Sequence, residues 1–242
     1  MSLTLLLLFA LITALATGVG VIPFAMFPPV SPERKGVSTA IASGLMGAAS
    51  LTLIKEGIPY GMVGLAIGLV AGGAFVWGSD RFLSGRELLV LEGFAAADTK
   101  KMLLMVGVMT VHSITEGVGI GVAFGDGMEL GLFITIAIAI HNIPEGLAIG
   151  LVLIPRGVSI LKTAWWAVFS SLPQVVLAVP AYLAVEFFRP SLPIGLGFAA
   201  GAMIWMVATE LLPDALKHTS VNKVTITTLI SGIAMYLFQF LI

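Results

Sequence analysis

Eight stretches of this sequence are long enough to cross a hydrocarbon layer and almost free of charge. They lie at about 3–25, 37–54, 60–79, 102–124, 129–154, 161–186, 193–213 and 223–242. A spanning helix needs roughly 20 mostly apolar residues. In lipid only a helix or a closed barrel satisfies its own backbone polar groups. Apolar runs of this length, without period-two alternation, read as helices. Composition agrees, with 58% hydrophobic residues against 12 basic and 13 acidic ones in 242, and a mean hydropathy of +1.08. A water-soluble globule of this size would run out of polar side chains for its surface. The expected fold is therefore an all-α, polytopic membrane bundle of eight transmembrane helices, a single transmembrane domain over 1–242. A soluble enzyme, a nucleic-acid binder and a disordered chain are excluded. With no cysteine, so are disulfides, thiolate metal sites and a Cys nucleophile.

Sidedness follows from the basic residues, which concentrate in cytoplasmic loops. The odd-numbered loops hold Arg34, Lys35, Arg81, Arg86, Lys100, Lys101, Arg156, Lys162, Lys217 and Lys223; the even-numbered ones hold only Lys55 and Arg189. Both termini are thus expected to be extracytoplasmic. The longest connection, a cytoplasmic loop at about 80–101, has room for one short interfacial helix at Glu87–Ala97. No basic residue precedes the run at Leu3–Leu15, which reads as a retained first helix rather than a cleaved leader.

Many of the 28 glycines recur at helical spacing: Gly64, Gly68 and Gly72; Gly117, Gly121 and Gly125; Gly146 and Gly150; Gly197 and Gly201. Such ladders let membrane helices approach closely. They imply a compact bundle and carry no information about substrate.

Ionisable groups at membrane depth do carry such information. Each costs roughly 2.5–3.5 kcal/mol at a helix centre, so it usually faces a partner or a polar path. The fourth run reads His112-Ser113-Ile114-Thr115-Glu116-Gly117 and the fifth His141-Asn142-Ile143-Pro144-Glu145-Gly146, identical at four of six positions. Residues i and i+4 share a helix face, so each helix presents one imidazole and one carboxylate together. The short loop Gly125–Leu130 makes the two helices antiparallel neighbours, and their faces can converge. Imidazole with carboxylate suits Zn²⁺, Fe²⁺, Mn²⁺ or Ni²⁺, and the lack of thiolate argues against Cu⁺. A divalent ion would also offset two buried carboxylates. Pro144 frees the carbonyl of Ile140 beside His141. Neither the zinc-protease order His-Glu-x-x-His nor the di-iron order Glu-x-x-His is present in these motifs.

Three further features are weaker. Gln174 in the sixth run is either an oxygen donor to a metal or an interhelical hydrogen bond. Glu210, Asp214 and His218 recur every four residues as a polar stripe toward the cytoplasm, or simply as a solvated helix end. Asp126 and Glu129 make the loop between the two His helices acidic, with no cation of its own.

These motifs resemble the fourth and fifth helices of the ZIP (Zrt-, Irt-like protein) family of divalent metal transporters, most closely its GufA-like branch. The resemblance runs nearly end to end, through Gly18-x-Gly20…Pro23, Ala42-Ser43-Gly44-Leu45-Met46, and Ala200-Gly201-Ala202-Met203 to Glu210-Leu211-Leu212-Pro213. It implies a zinc-type ion carried toward the cytoplasm, held by His112, Glu116, His141 and Glu145. It further implies a path past Ser113, Glu210 and Asp214, and an elevator-like or rocking motion of the metal-carrying helices. The family often holds two metals. Here Ser113 stands where Asn is common, Asn142 where some members have Asp, and Gln174 where many have Glu. One metal, with Asn142 or Gln174 as auxiliary ligand, is the reading that results. Thr209 replaces a common histidine.

The expected function is therefore divalent metal uptake, zinc first, with iron, manganese and cadmium as alternatives. The metal is substrate and not cofactor, and the chain is not an enzyme. The rivals are an intramembrane metallohydrolase using the same His/Glu cluster and a metal-gated channel. Partners are the metal ion and the lipid bilayer, with a second copy of the chain as a candidate and no nucleic acid. The cell (inner) membrane is the expected location.

Overall fold

The computed structural model describes residues 2–26, 31–84 and 96–238, and among these the chain is helical throughout, without a strand. The helices are α1 (Leu3–Val19), α2 (Pro32–Gly57), α3 (Met62–Ser84), α4 (Ala96–Asp126), α5 (Met128–Leu153), α6 (Ile160–Phe187), α7 (Ser191–Met206), α8 (Leu212–His218) and α9 (Val221–Phe238). By length and composition, six helical stretches among the described residues can cross a membrane. The fold is an integral, multi-pass membrane bundle.

Local chemistry sets the helix ends. Ser2, Ser31 and Ser159 accept from the backbone N–H three residues on, which satisfies a donor the first turn leaves free. Pro32 follows at the first helical position of α2, where its missing N–H costs nothing. The α2 and α3 helices outrun their expected 37–54 and 60–79, since charged residues that end a hydropathy run do not end an i→i−4 ladder. The expected 80–101 loop is in part helix for the same reason, α3 running to Ser84 and α4 starting at Ala96. The short helix expected at Glu87–Ala97 lies largely outside the described residues.

Two expected helices are interrupted. The first run breaks after Val19 into a tight turn, with a separate helical turn at Pro23–Met26, because Pro23 has no N–H to continue the ladder. The seventh is broken at Val207–Leu211, which forms a π-helical turn between α7 and α8. Pro213 removes the N–H that would reach Thr209, and Leu212 N–H bonds Val207 instead. The extra residue in the turn re-aims Glu210.

The helices sort into two groups. In one, α1, α4, α5 and α6 pack on each other; in the other, α3 packs on α7 and α9 on α2. Glycines set the partners. A Cβ on Gly117 would lie 2.6 Å from the Gln174 backbone, so α4 seats its ladder on α6. One on Gly146 would collide with the Thr17 carbonyl, and one on Gly68 or Gly201 with the opposing backbone of α7 or α3. The two groups meet where α4 faces α7 and α5 faces α2.

Candidate metal centre

The α4–α5 connection is a single residue, Gly127, so the two His-x-x-x-Glu faces run antiparallel at one depth. There they bring together Glu116, His141 and Glu145, one ligand atom from each lying within 4.8 Å of the others. His141 Nε2 is 2.8 Å from Glu116 Oε1 and 3.4 Å from Glu145 Oε1. These side chains are 0 to 4% exposed. The imidazole sits between the two carboxylates, and neither Glu116 Oε1 nor His141 Nε2 has a hydrogen-bond partner outside the cluster. Two carboxylate oxygens and an imidazole nitrogen that converge on one buried point form a ligand set able to hold a shared cation. Two carboxylates taken out of water need such a counter-charge. Oxygen and imidazole donors fit a borderline divalent ion.

The other expected ligands are placed differently. His112, equally buried, turns its Nε2 to Glu210 Oε1 at 3.3 Å, bridging the two helix groups through the re-aimed π turn. Gln174, with its amide oriented to satisfy the network, donates to Glu116 Oε2 at 3.0 Å and accepts from Ala14 N–H at 2.8 Å. It therefore braces a ligand carboxylate against α1. Asn142 donates to the Thr13 carbonyl at 2.9 Å, and its Oδ1 is buried without a partner. Ser113 donates back to the Met109 carbonyl of its own helix. The sequence motifs missed α1, whose Thr13 and Ala14 backbone groups hold both amides. A Gly18-x-Gly20 ladder could have hinted that α1 lies close, but not which of its atoms bond.

A cavity of about 350 Å³ starts at Glu145 and passes Pro144, Thr209 and Glu210 to reach Asp214 and Lys35. Glu210 and Asp214 of the expected polar stripe thus line it. At the opposite end of the bundle the acidic loop acquires partners. Tyr60 donates to Asp126 at 2.5 Å, and Arg189 reaches the Gly125 carbonyl at 3.1 Å. That cation comes from the α6–α7 connection, the loop itself having none.

Proteins similar to this chain carry the names of zinc transporters. A family model described as ZIP Zinc transporter matches residues 91–239. Zinc transporter GufA of Myxococcus xanthus is 30% identical over 220 residues, covering 85% of this chain and 86% of its own. An Arabidopsis thaliana protein provisionally named a zinc transporter is 43% identical over 231 residues, 94% of this chain but only 37% of the plant protein. Zinc transporter ZIPB of Bordetella bronchiseptica is 32% identical over 149 residues, 61% of this chain and 48% of its own.

Proposed function

This chain belongs to the ZIP zinc transporter family, GufA-like, and from that premise we propose that it moves a divalent metal ion, zinc first, into the cytoplasm. Family membership makes it a transporter rather than an enzyme, so the metallohydrolase reading is dropped. The observation that carries the proposal is the convergence of Glu116, His141 and Glu145 on one buried point, with no partner outside the cluster for Glu116 Oε1 or His141 Nε2. In this reading the ion is held by these three residues. His112 exchanges Glu210 for the ion as a fourth ligand. The Asn142 carbonyl supplies an auxiliary oxygen, and Gln174 acts through Glu116. Neutral Ser113, Asn142 and Gln174 favour one ion over two.

Eight spans with both termini outside would put the basic loops, and the Asp214 end of the cavity, at the cytoplasm. The ion then leaves Glu145 past Glu210 and Asp214. A 100 mV inside-negative potential favours inward movement of two charges by about 4.6 kcal/mol, so no second coupling ion is required. The test is zinc uptake into liposomes holding the purified protein, read by a trapped dye, beside Glu145→Ala. Saturable uptake that disappears in the variant is expected; uptake unchanged in the variant would remove the site from the path.

A further inference from the structure

At the end of the cavity lined by Asp214 and Lys35, His218 completes a second set of metal-type ligands, already occupied by a side chain. His218 Nδ1 lies 2.7 Å from the Asp214 carbonyl oxygen. A carbonyl only accepts, so Nδ1 carries the proton, and in the neutral ring Nε2 holds the lone pair. That is the arrangement by which proteins orient a histidine toward a metal, with the outer N–H fixed on an oxygen. Beside it stands the Asp214 carboxylate. Into this pair reaches the Lys35 ammonium, 3.2 Å from Asp214 Oδ1 and Oδ2 and 3.4 Å from His218 Nε2. It is the position a divalent cation would take.

The placement of Lys35 is imposed by packing. It sits in the first turn of α2, where the helix dipole disfavours a positive charge. The next residue, Gly36, lets that turn press onto α8: a Cβ there would be 2.9 Å from Thr219 Cγ2 and 3.0 Å from the Ala215 carbonyl. The side chains of Lys35 and Asp214 are only 17% and 34% exposed. Lys35 also lines the same cavity as Glu145 and Glu210, so an ion leaving the centre meets it.

We propose that Asp214 and His218 form a latent metal site that Lys35, as a tethered cation, keeps filled, so that the exit holds the transported ion weakly and releases it. The inference rests on the transport reading for its purpose, but the latent site is tested without it.

In a Glu116→Gln/Glu145→Gln background, which disables the central cluster, Zn²⁺ binding is measured by titration and Co²⁺ binding by its visible absorption. With Lys35 present, or replaced in Lys35→Arg, no site is expected at micromolar metal. Lys35→Met is expected to gain one site per chain, at least about tenfold tighter than any residual binding, lost again on adding His218→Ala. No gain in Lys35→Met, in protein whose helicity and melting are unchanged, overturns the proposal. So does a gain that survives His218→Ala. In the otherwise intact chain, Lys35→Met should lower the turnover of zinc flux about tenfold and lower KM with it, while Lys35→Arg restores both. Unchanged turnover overturns the release role. Absence of flux in the parent chain would sink the transport reading and leave the binding result to judge the latent site.

Discussion

The two helix groups use the same packing device and differ in what their polar atoms do. Both bring backbones together over glycine, Gly117 and Gly146 in one, Gly68 and Gly201 in the other. In α2 the buried hydroxyls turn back on their own helix: Ser43, Ser50 and Thr52 each donate to the carbonyl four residues earlier. Thr228 of α9 does reach across to the Ala40 carbonyl. In the group of α1, α4, α5 and α6 hydroxyls such as Ser113 and Thr135 also turn back, but polar side chains around the centre cross between helices. Thr17 bonds Ser171, Asn142 bonds the Thr13 carbonyl, and Gln174 bonds Glu116. Self-satisfied hydroxyls leave a helix free to pack by shape alone. Crossing bonds fix the relative register of four helices, which a site of three converging ligands requires. Glycine ladders therefore mark contact, and the crossing bonds of the Asn142 and Gln174 amides mark the centre.

The contrast can be broken most severely at the ligands. His141→Ala with Glu145→Ala should abolish zinc flux while the protein still folds, since it removes two of the three ligands and leaves Gln174 donating to the remaining Glu116 carboxylate. In the other group, removing the exposed Lys223–Glu33 ion pair should leave flux unchanged, as exposed pairs contribute little. Flux surviving the first change would mean the crossing network serves packing only.

Glycine comes next. Gly117→Val pushes into the Gln174 backbone, which cannot move aside, and should cost about 3 kcal/mol of stability. Gly73→Ala meets only an ordinary contact with Trp205, at 3.5 Å, and should be neutral. Thermal melts in detergent would compare them; equal melting points would deny that the close approach is needed.

Gln174→Leu removes the donor from Glu116 and should weaken zinc binding about 10- to 100-fold. Ser50→Ala, which loses a bond within one helix, should leave affinity unaltered. Titration of both variants would sharpen the distinction between crossing and self-satisfied polar groups. The smallest effect is expected at the rim, where Tyr60→Phe deletes one exposed hydrogen bond to Asp126 and should change stability by about 1 kcal/mol or less. A large change in flux instead would give the rim a part in opening the outer end.

Much of the fold and part of the site were legible in advance. A bilayer interior offers no water, so each helix must close its own hydrogen bonds, and apolar length alone reports it. The spacing in His141 to Glu145 is likewise a property of one helix turn. Helix ends were less legible, because hydropathy stops at Lys55 or Arg81 while the ladder does not. The π turn before Pro213 was hidden as well, since proline announces a broken ladder without saying how the chain repairs it.

What the sequence by itself determined is therefore what lies within a few residues: helical runs, the basic asymmetry of their connections, and the matched His-x-x-x-Glu faces. The tertiary structure alone decided that α4 seats its glycines on α6, that α1 braces Asn142 and Gln174, and that Glu210 meets His112. It also decided that Lys35 fills the place between Asp214 and His218, 179 and 183 residues away along the chain. Contacts at such separations depend on which helix faces can approach, and that is set by the shape of whole surfaces rather than by any local spacing.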